Sequence, residues 1–342
     1  MKERFLICTA LLLALFGVPS GCMREEPEHF RKPDWWTTGE EDEGTGEYRL
    51  VWSDEFDDEP ADGQPWAEPS DGWIFETGGT GWGNDEEQYY VDKSYGGKAV
   101  SKVRDGCLIL TAYKLDRPLG GKKYISARMT TKRSWTYGKM EMRAKLPAGR
   151  GTWPAFWMLP AARTSDNLLD GEIDIMEAGD HYTDASFAST AQYTCHNPYT
   201  INTPSKRYDI YRPGQDQPNS AKVALEDPSG YHVWTVEVTD EAVVWYIDGT
   251  QVHKYSNIRH TTADNGYKYA AETATNWAGE EIYPKANYLK NYTFTENNYF
   301  AIFDIAVGSS FVGGENDPAN VPAQEGFEAQ FDIDWIKISK IK

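Results

Sequence analysis

The chain has 342 residues, 34 basic against 53 acidic side chains for a net charge of −19, and 14% aromatic residues that include 13 Trp and 21 Tyr. That acidity excludes nucleic acid and anionic membrane surfaces as partners and suits a neutral ligand. The length accommodates one large all-β domain, and no internal repeat or low-complexity tract divides it.

Residues 1–21 open with Lys2 and Arg4, continue as an apolar run over 5–18 and end in small residues before Cys22. The run is too short to span a bilayer and reads as an export signal. Ser20-Gly21-Cys22 resembles the end of a bacterial lipoprotein signal, in which Cys22 becomes the lipidated first residue. Membrane association is then expected through that lipid alone. Removing 1–21 leaves 32 basic against 52 acidic residues, a net −20, because Lys2, Arg4 and Glu3 are lost. Residues 22–46 are acidic, hold two Pro and several Gly and show no periodicity, so they read as a solvated tether. Arg24-Glu25-Glu26 resembles the signal that sends lipoproteins to the outer face of the Gram-negative outer membrane. Cys107 and Cys195 remain in the exported part, either as one disulfide or as two buried thiols.

From residue 47 to 342 the pattern is β. Short apolar or alternating runs recur at 48–53, 107–113, 124–131, 139–145, 232–238, 242–247, 299–307 and 331–338, separated by Gly, Pro, Asn and Asp. Many short strands and little helical periodicity predict a single β-jelly roll of two antiparallel sheets with a concave substrate cleft. Asp248-Gly249 predicts a hairpin turn after 242–247. The polar stretches at about 180–230 and 256–298 lack strand patterns and are expected as loops around the cleft.

Within this pattern Gly171-Glu172-Ile173-Asp174-Ile175-Met176-Glu177 sets three carboxylates in an apolar, β-branched run. Burying so many acids is costly unless pairing or chemistry requires it. On a flat strand Glu172 and Asp174 share one face and Glu177 takes the other. One β-bulge near Ile175-Met176 absorbs a residue and returns Glu177 to the face of the other two. The two Glu Cα atoms then stand roughly 13 Å apart, and side chains leaning inward bring the carboxyls to about 5 Å, the spacing of retaining glycoside hydrolysis. Asp174 between them would share a proton with a neighbouring Glu and split the carboxyl pKa values. The alternative is an ordinary strand with one solvated acidic face. Aromatic clusters at Trp82 with Tyr89-Tyr90, at Trp135 and at Trp153, Phe156 and Trp157 supply flat rings suited to sugar faces, although such rings also fill sandwich cores.

Leu50-Val51-Trp52-Ser53-Asp54-Glu55-Phe56, Gly81-Trp82-Gly83-Asn84 with Gln88-Tyr89-Tyr90, Tyr137 through Lys145, Trp153 through Leu159 and Gly171 through Glu177 resemble, in order, the signatures of glycoside hydrolase family 16, laminarinase-like branch. The resemblance implies a retaining double displacement with Glu172 as nucleophile, Glu177 as general acid and base and Asp174 assisting the nucleophile. It implies Trp153 and Trp157 beside the sugar at the cleavage point, Asn84 and Arg143 as polar substrate contacts, and a structural Ca²⁺ held by backbone oxygens near the N-terminal strand and by Asp334; Gln192, at a position that departs from the pattern, is a further candidate substrate contact. No organic cofactor and no partner besides the glycan are implied, and the enzyme is expected to be monomeric.

Three departures from the laminarin-cleaving pattern concern the sugar that is bound. Leu168-Leu169-Asp170 stands where those relatives have Trp-Pro, Thr190-Ala191-Gln192 puts Gln where His is expected, and the late Gly-Gly-Asn-Trp loop reads Gly308-Ser309-Ser310-Phe311. The expected activity is an endo-acting β-1,3-glucanase or mixed-linkage glucanase. An endo-β-galactosidase acting on galactans or mucin-type glycans is the alternative, because a few hydroxyl-reading residues separate the epimers. An alternative of another class is a surface glycan-binding lipoprotein without turnover.

Overall fold

Alternation with period two decides which side of each strand is buried. In Gly138–Lys145, Met140, Met142 and Ala144 enter the core, and the charged residues between them take the other side. The structure is a computed structural model that describes residues 48–61, 63–136, 138–147, 151–161, 172–179, 190–196, 201–203, 206–208, 220–239, 242–256, 274–275, 281–282, 298–309, 312 and 326–341. Among them there is no helix.

Two large sheets, antiparallel except where Gln88–Tyr90 pairs parallel with Lys122–Ser126, form a jelly-roll sandwich. The ten-stranded sheet runs Thr250–Ser256, Ala242–Ile247, Tyr231–Val238, Gly138–Lys145, Glu328–Ile341, Cys107–Leu119, Lys122–Ser126, Gln88–Tyr90, with Tyr48–Asp54 and Ser101–Arg104 added beside the path. The seven-stranded sheet runs Ser220–Ala224, Thr190–His196, Glu172–Ala178, Thr152–Pro160, Tyr299–Val307, Arg128–Thr131, Trp73–Phe75. Their inner faces interlock through Phe156, Phe303, Ile173, Trp234, Phe331 and their neighbours, with the Phe156 and Phe303 rings 5.0 Å apart. The outer face of the seven-stranded sheet carries the acid strand.

The expected strands are present, with three differences. The run 124–131 is two strands, Lys122–Ser126 in the ten-stranded sheet and Arg128–Thr131 in the seven-stranded sheet. The chain changes sheets at Ala127 with no turn residue there to announce it. The stretches 180–230 and 256–298, expected as loops, contribute Thr190–His196, Ile201–Thr203, Lys206–Tyr208, Ser220–Ala224, Ala274–Thr275 and Glu281–Ile282. The last run extends over Glu328–Ile341. The hairpin turn is as read: Asp248 and Gly249 have φ of 50° and 76°, and Ile247 pairs with Thr250. Cys107 is disulfide-bonded; the side chain of Cys195 lies outside the described residues, as do Cys22 and the whole of 1–47.

Candidate active site

The acid strand Glu172–Ala178 is bulged where the spacing required it. Phe156 pairs with Met176 and Trp157 with Asp174, leaving Ile175 without a partner on the Thr152–Pro160 strand. On the other side Asp174 faces Thr194 and Glu177 faces Gln192, so two residues again oppose one. Ala155 and Trp157 are two apart on a regular strand and share a face; their partners Glu177 and Asp174 therefore share it too. Glu172, two before Asp174, joins them.

The bulge is fixed from across the sandwich. The indole Nε1 of Trp245, on the ten-stranded sheet, donates to the backbone carbonyl of Asp174 at 2.8 Å. The irregular ladder thus gains a buried donor where its pairing is interrupted.

Burial rules out a solvated acidic face. Asp174 is 2% exposed and Glu177 7% exposed, although both sit on the outer side of the sheet. The carboxyl of Asp174 hydrogen-bonds both Glu172 and Glu177. Burial pushes its pKa up to about 8, the two hydrogen bonds oppose the rise, and the Asp304 carboxylate adds to it. Burial and the Asp304 carboxylate thus favour the protonated form of Asp174. Trp153 Nε1 donates to Glu177 Oε1 at 3.1 Å, which orients that carboxyl over the face.

A second polar group lies one strand away, and the sequence reading did not include it. Asp304 pairs in register with Ala155, the partner of Glu177, and with Arg128 on its far side. Its carboxylate accepts from Trp157 Nε1 at 2.8 Å, from Tyr90 Oη at 3.4 Å and from Arg128 at 3.5 Å. The Arg128 guanidinium lies 4.6 Å from the Trp157 ring and 4.8 Å from the Trp82 ring, and it also holds Glu76 at 2.5 Å. Glu86 completes the group, bonded by Gln88, Tyr90 and the side chain of Asn84. Burial raises Asp304 to about 6 against the opposing pull of Arg128, and it raises Glu86 to about 7 with help from Asp304. Asp304 was legible in principle: an acid inside the apolar run Tyr-Phe-Ala-Ile-Phe-Asp-Ile-Ala-Val is the same signal that singled out the acid strand.

The structure thus brings Glu172, Asp174, Glu177, Trp153 and Trp157 together and places Asn84 against the neighbouring group. Gln192 occupies the register position opposite Glu177, and its side chain is outside the described residues. Arg143 is not at the site, which corrects the expectation of a substrate contact. It lies on the outer face of the other sheet, 3% exposed, donating to Asp334 at 2.6 Å and stacked 4.6 Å from the Tyr231 ring. The alternation Lys139, Glu141, Arg143 on a strand whose other face is core sends it there. Asp334 is 1% exposed and its Oδ2 is neutralised by that guanidinium. Among the described residues no group of three or more His, Cys, Asp or Glu side chains could hold a metal.

A β-sandwich with a row of hydrogen-bonded carboxyls beside indole rings on one face has the groups that glycoside hydrolysis uses. Comparison with known proteins agrees. The family model for glycosyl hydrolases family 16 matches residues 85–292. The β-glucanase of Rhodothermus marinus is 32% identical over 297 residues, covering 85% of each chain, and the glucan endo-1,3-β-glucosidase of Cryptopygus antarcticus is 29% identical over 304 residues, covering 85% of this chain and 92% of its own. The solved laminarinase from Rhodothermus marinus superposes with a TM-score of 0.60 at 29% identity, covering 86% of this chain and 97% of that one. The chain belongs to glycosyl hydrolases family 16.

Proposed function

We propose that the protein is a retaining, endo-acting β-glycanase that cleaves internal bonds of a β-1,3-glucan of the laminarin type or of a mixed-linkage glucan. The observation that carries this reading is the bulge that returns Glu177 to the face of Glu172 and Asp174, where buried Asp174 bonds both. In this reading Glu177 protonates the glycosidic oxygen as the C1–O bond breaks, and Glu172 forms a bond to C1. A water then displaces Glu172, giving its proton to Glu177. Asp174 holds a proton between the two and lets Glu172 keep its negative charge. Trp153 positions Glu177, and the Trp157 ring offers an apolar face to the sugar. The glucan assignment is supported by relatives named β-glucanase, glucan endo-1,3-β-glucosidase and laminarinase.

The position of Gln192 favours a second reading, an endo-β-galactosidase. It stands in register opposite Glu177, where laminarin-cleaving relatives are expected to carry His. An amide there reads sugar hydroxyls differently from an imidazole.

The test is the product profile of the purified protein on laminarin, mixed-linkage glucan, agarose-type galactan and mucin O-glycans, with Glu172→Gln as control. Oligosaccharides from the glucans, absent with Glu172→Gln, are expected. Fragments from the galactose-containing polymers alone would transfer the assignment to the second reading. We also propose that Cys22 carries the lipid that holds the enzyme at the outer-membrane surface, a reading supported by the basic, apolar and small-residue order of 1–22. Metabolic labelling with an alkyne fatty acid should mark the wild type and not Cys22→Ala; equal labelling would overturn it.

A further inference from the structure

Two buried acids, Glu86 and Asp304, and the partly exposed Glu76 lie around one cation beside the trio. Glu76, Glu86 and Asp304 surround Arg128, and only Asp304 of the three belongs to a strand that touches the partner strand of the acid strand. Asp304, Ala155 and Glu177 lie in one row across three neighbouring strands. The Trp157 indole donates to Asp304, and Trp157 is itself the register partner of Asp174. One carboxylate therefore sets the orientation of the ring that covers the site and stands about two strand spacings, roughly 10 Å, from the trio.

We propose that Asp304 is a positioning residue of the hydrolytic centre: its carboxylate fixes the Trp157 ring and the Arg128 guanidinium on the substrate face and keeps negative charge off Asp174. The inference rests on the reading of Glu172, Asp174 and Glu177 as that centre. Its physical basis is unequal solvation. Asp304 has Arg128, Trp157 and Tyr90 to stabilise its ionised form, with Glu76 and Glu86 opposing. The carboxyl of Asp174 hydrogen-bonds Glu172 and Glu177, burial and the Asp304 carboxylate favour its protonated form, and the Trp245 indole donates to its backbone carbonyl. Arg128 and Trp157 favour the ionised form of Asp304, and that negative charge in turn favours the protonated form of Asp174. An ionised group about 10 Å away at an effective dielectric constant of about 20 raises the neighbouring pKa by about one unit. Removing Asp304's charge should lower the pH at which Asp174 ionises by that amount.

The experiment is a carboxyl ¹³C NMR titration of the full chain labelled at Asp, in wild type, Asp304→Asn and Asp304→Glu, with Asp174→Asn to assign the resonance. This readout needs no substrate, so it stands apart from whether the enzyme cleaves glucan or galactan. The Asp174 titration is expected to fall by about one pH unit in Asp304→Asn and to return toward wild type in Asp304→Glu. The alkaline limb of kcat on whichever glycan is cleaved should move with it. An unmoved Asp174 titration in folded Asp304→Asn, even with lowered kcat, would reduce Asp304 to a packing residue and overturn the proposal. If Asp304→Asn does not fold, the wild-type curve decides: Asp174 should show an inflection at the pH where Asp304 titrates, and a single-step curve overturns the proposal.

Discussion

Replacing Asp174 by Asn should stabilise the protein by an amount that grows with pH. The carboxyl is 2% exposed, and burial lifts its pKa from 3.8 to about 8. A carboxyl raised in the folded state binds its proton more tightly there than in the unfolded chain. Below pH 4 both states hold the proton and the site costs nothing. As pH rises through the unfolded value, the unfolded state releases its proton and gains about 1.4 kcal/mol per unit, until the folded group also ionises near pH 8. At pH 7 roughly 3 units have accumulated, a cost of about 4 kcal/mol as an upper bound, since relaxation around the charge reduces it. Asn has no proton to lose, yet it reproduces one donor and one acceptor toward Glu172 and Glu177. Urea unfolding followed by Trp fluorescence at pH 4.5, 5.5, 6.5 and 7.5 should show the variant and wild type close at the acid end and diverging at about 1 kcal/mol per pH unit. Parallel curves, with a constant offset at every pH, would refute the protonated, buried Asp174.

Trp153→Phe removes the donor 3.1 Å from Glu177 and keeps the ring, so kcat should fall about 10- to 100-fold with KM little changed; a loss confined to KM would show that the indole serves only binding. Arg143→Met leaves the carboxylate of Asp334 buried without its guanidinium and should cost about 3–5 kcal/mol by urea unfolding, while kcat per folded molecule is unchanged; a selective loss of kcat would return Arg143 to the site. Burial disfavours the imidazolium of His232, but its hydrogen bonds to Asp248 and to the Asp227 carbonyl win and raise its pKa. Its contribution is therefore present below the ordinary His value and lost as pH rises through the raised one; His232→Gln should flatten that part of the stability–pH curve, and an identical slope would contradict it. Gly138 has φ of 122°, and a Cβ there would clash with the Ser339 carbonyl oxygen, so Gly138→Ala should lower Tm by several degrees. A neutral substitution would show that the strand pair yields.

The acid strand was legible because its constraint is local: a period of two and one extra residue suffice to place Glu177, and Ile175 is the residue left over. The hairpin at Asp248-Gly249 was legible for the same reason, since both residues adopt positive φ. What sequence could not supply was sheet membership. Lys122–Ser126 and Arg128–Thr131 read as one strand, although they lie in opposite sheets, and only that switch carries Arg128 to the active face. Arg143 and Arg128 sit in similar polar-apolar runs. One is sent to the outer face of the ten-stranded sheet and the other to the site, a difference set by partners far along the chain, Asp334 and Asp304. The Trp residues divide in the same way. Trp245 is fully buried, yet it bonds the acid strand, while Trp52 and Trp73 pack against one another at 5.7 Å far from it in sequence.

In the proposed reaction Glu172, Asp174 and Glu177 on one bulged strand carry out a double displacement. The most direct measurement follows the anomeric proton signals by NMR during the first minutes of hydrolysis of whichever β-glycan the protein cleaves. New reducing ends that appear first as the β-anomer and only later mutarotate are the predicted result. Initial appearance of the α-anomer would mean inversion and would contradict the roles given to Glu172 and Glu177.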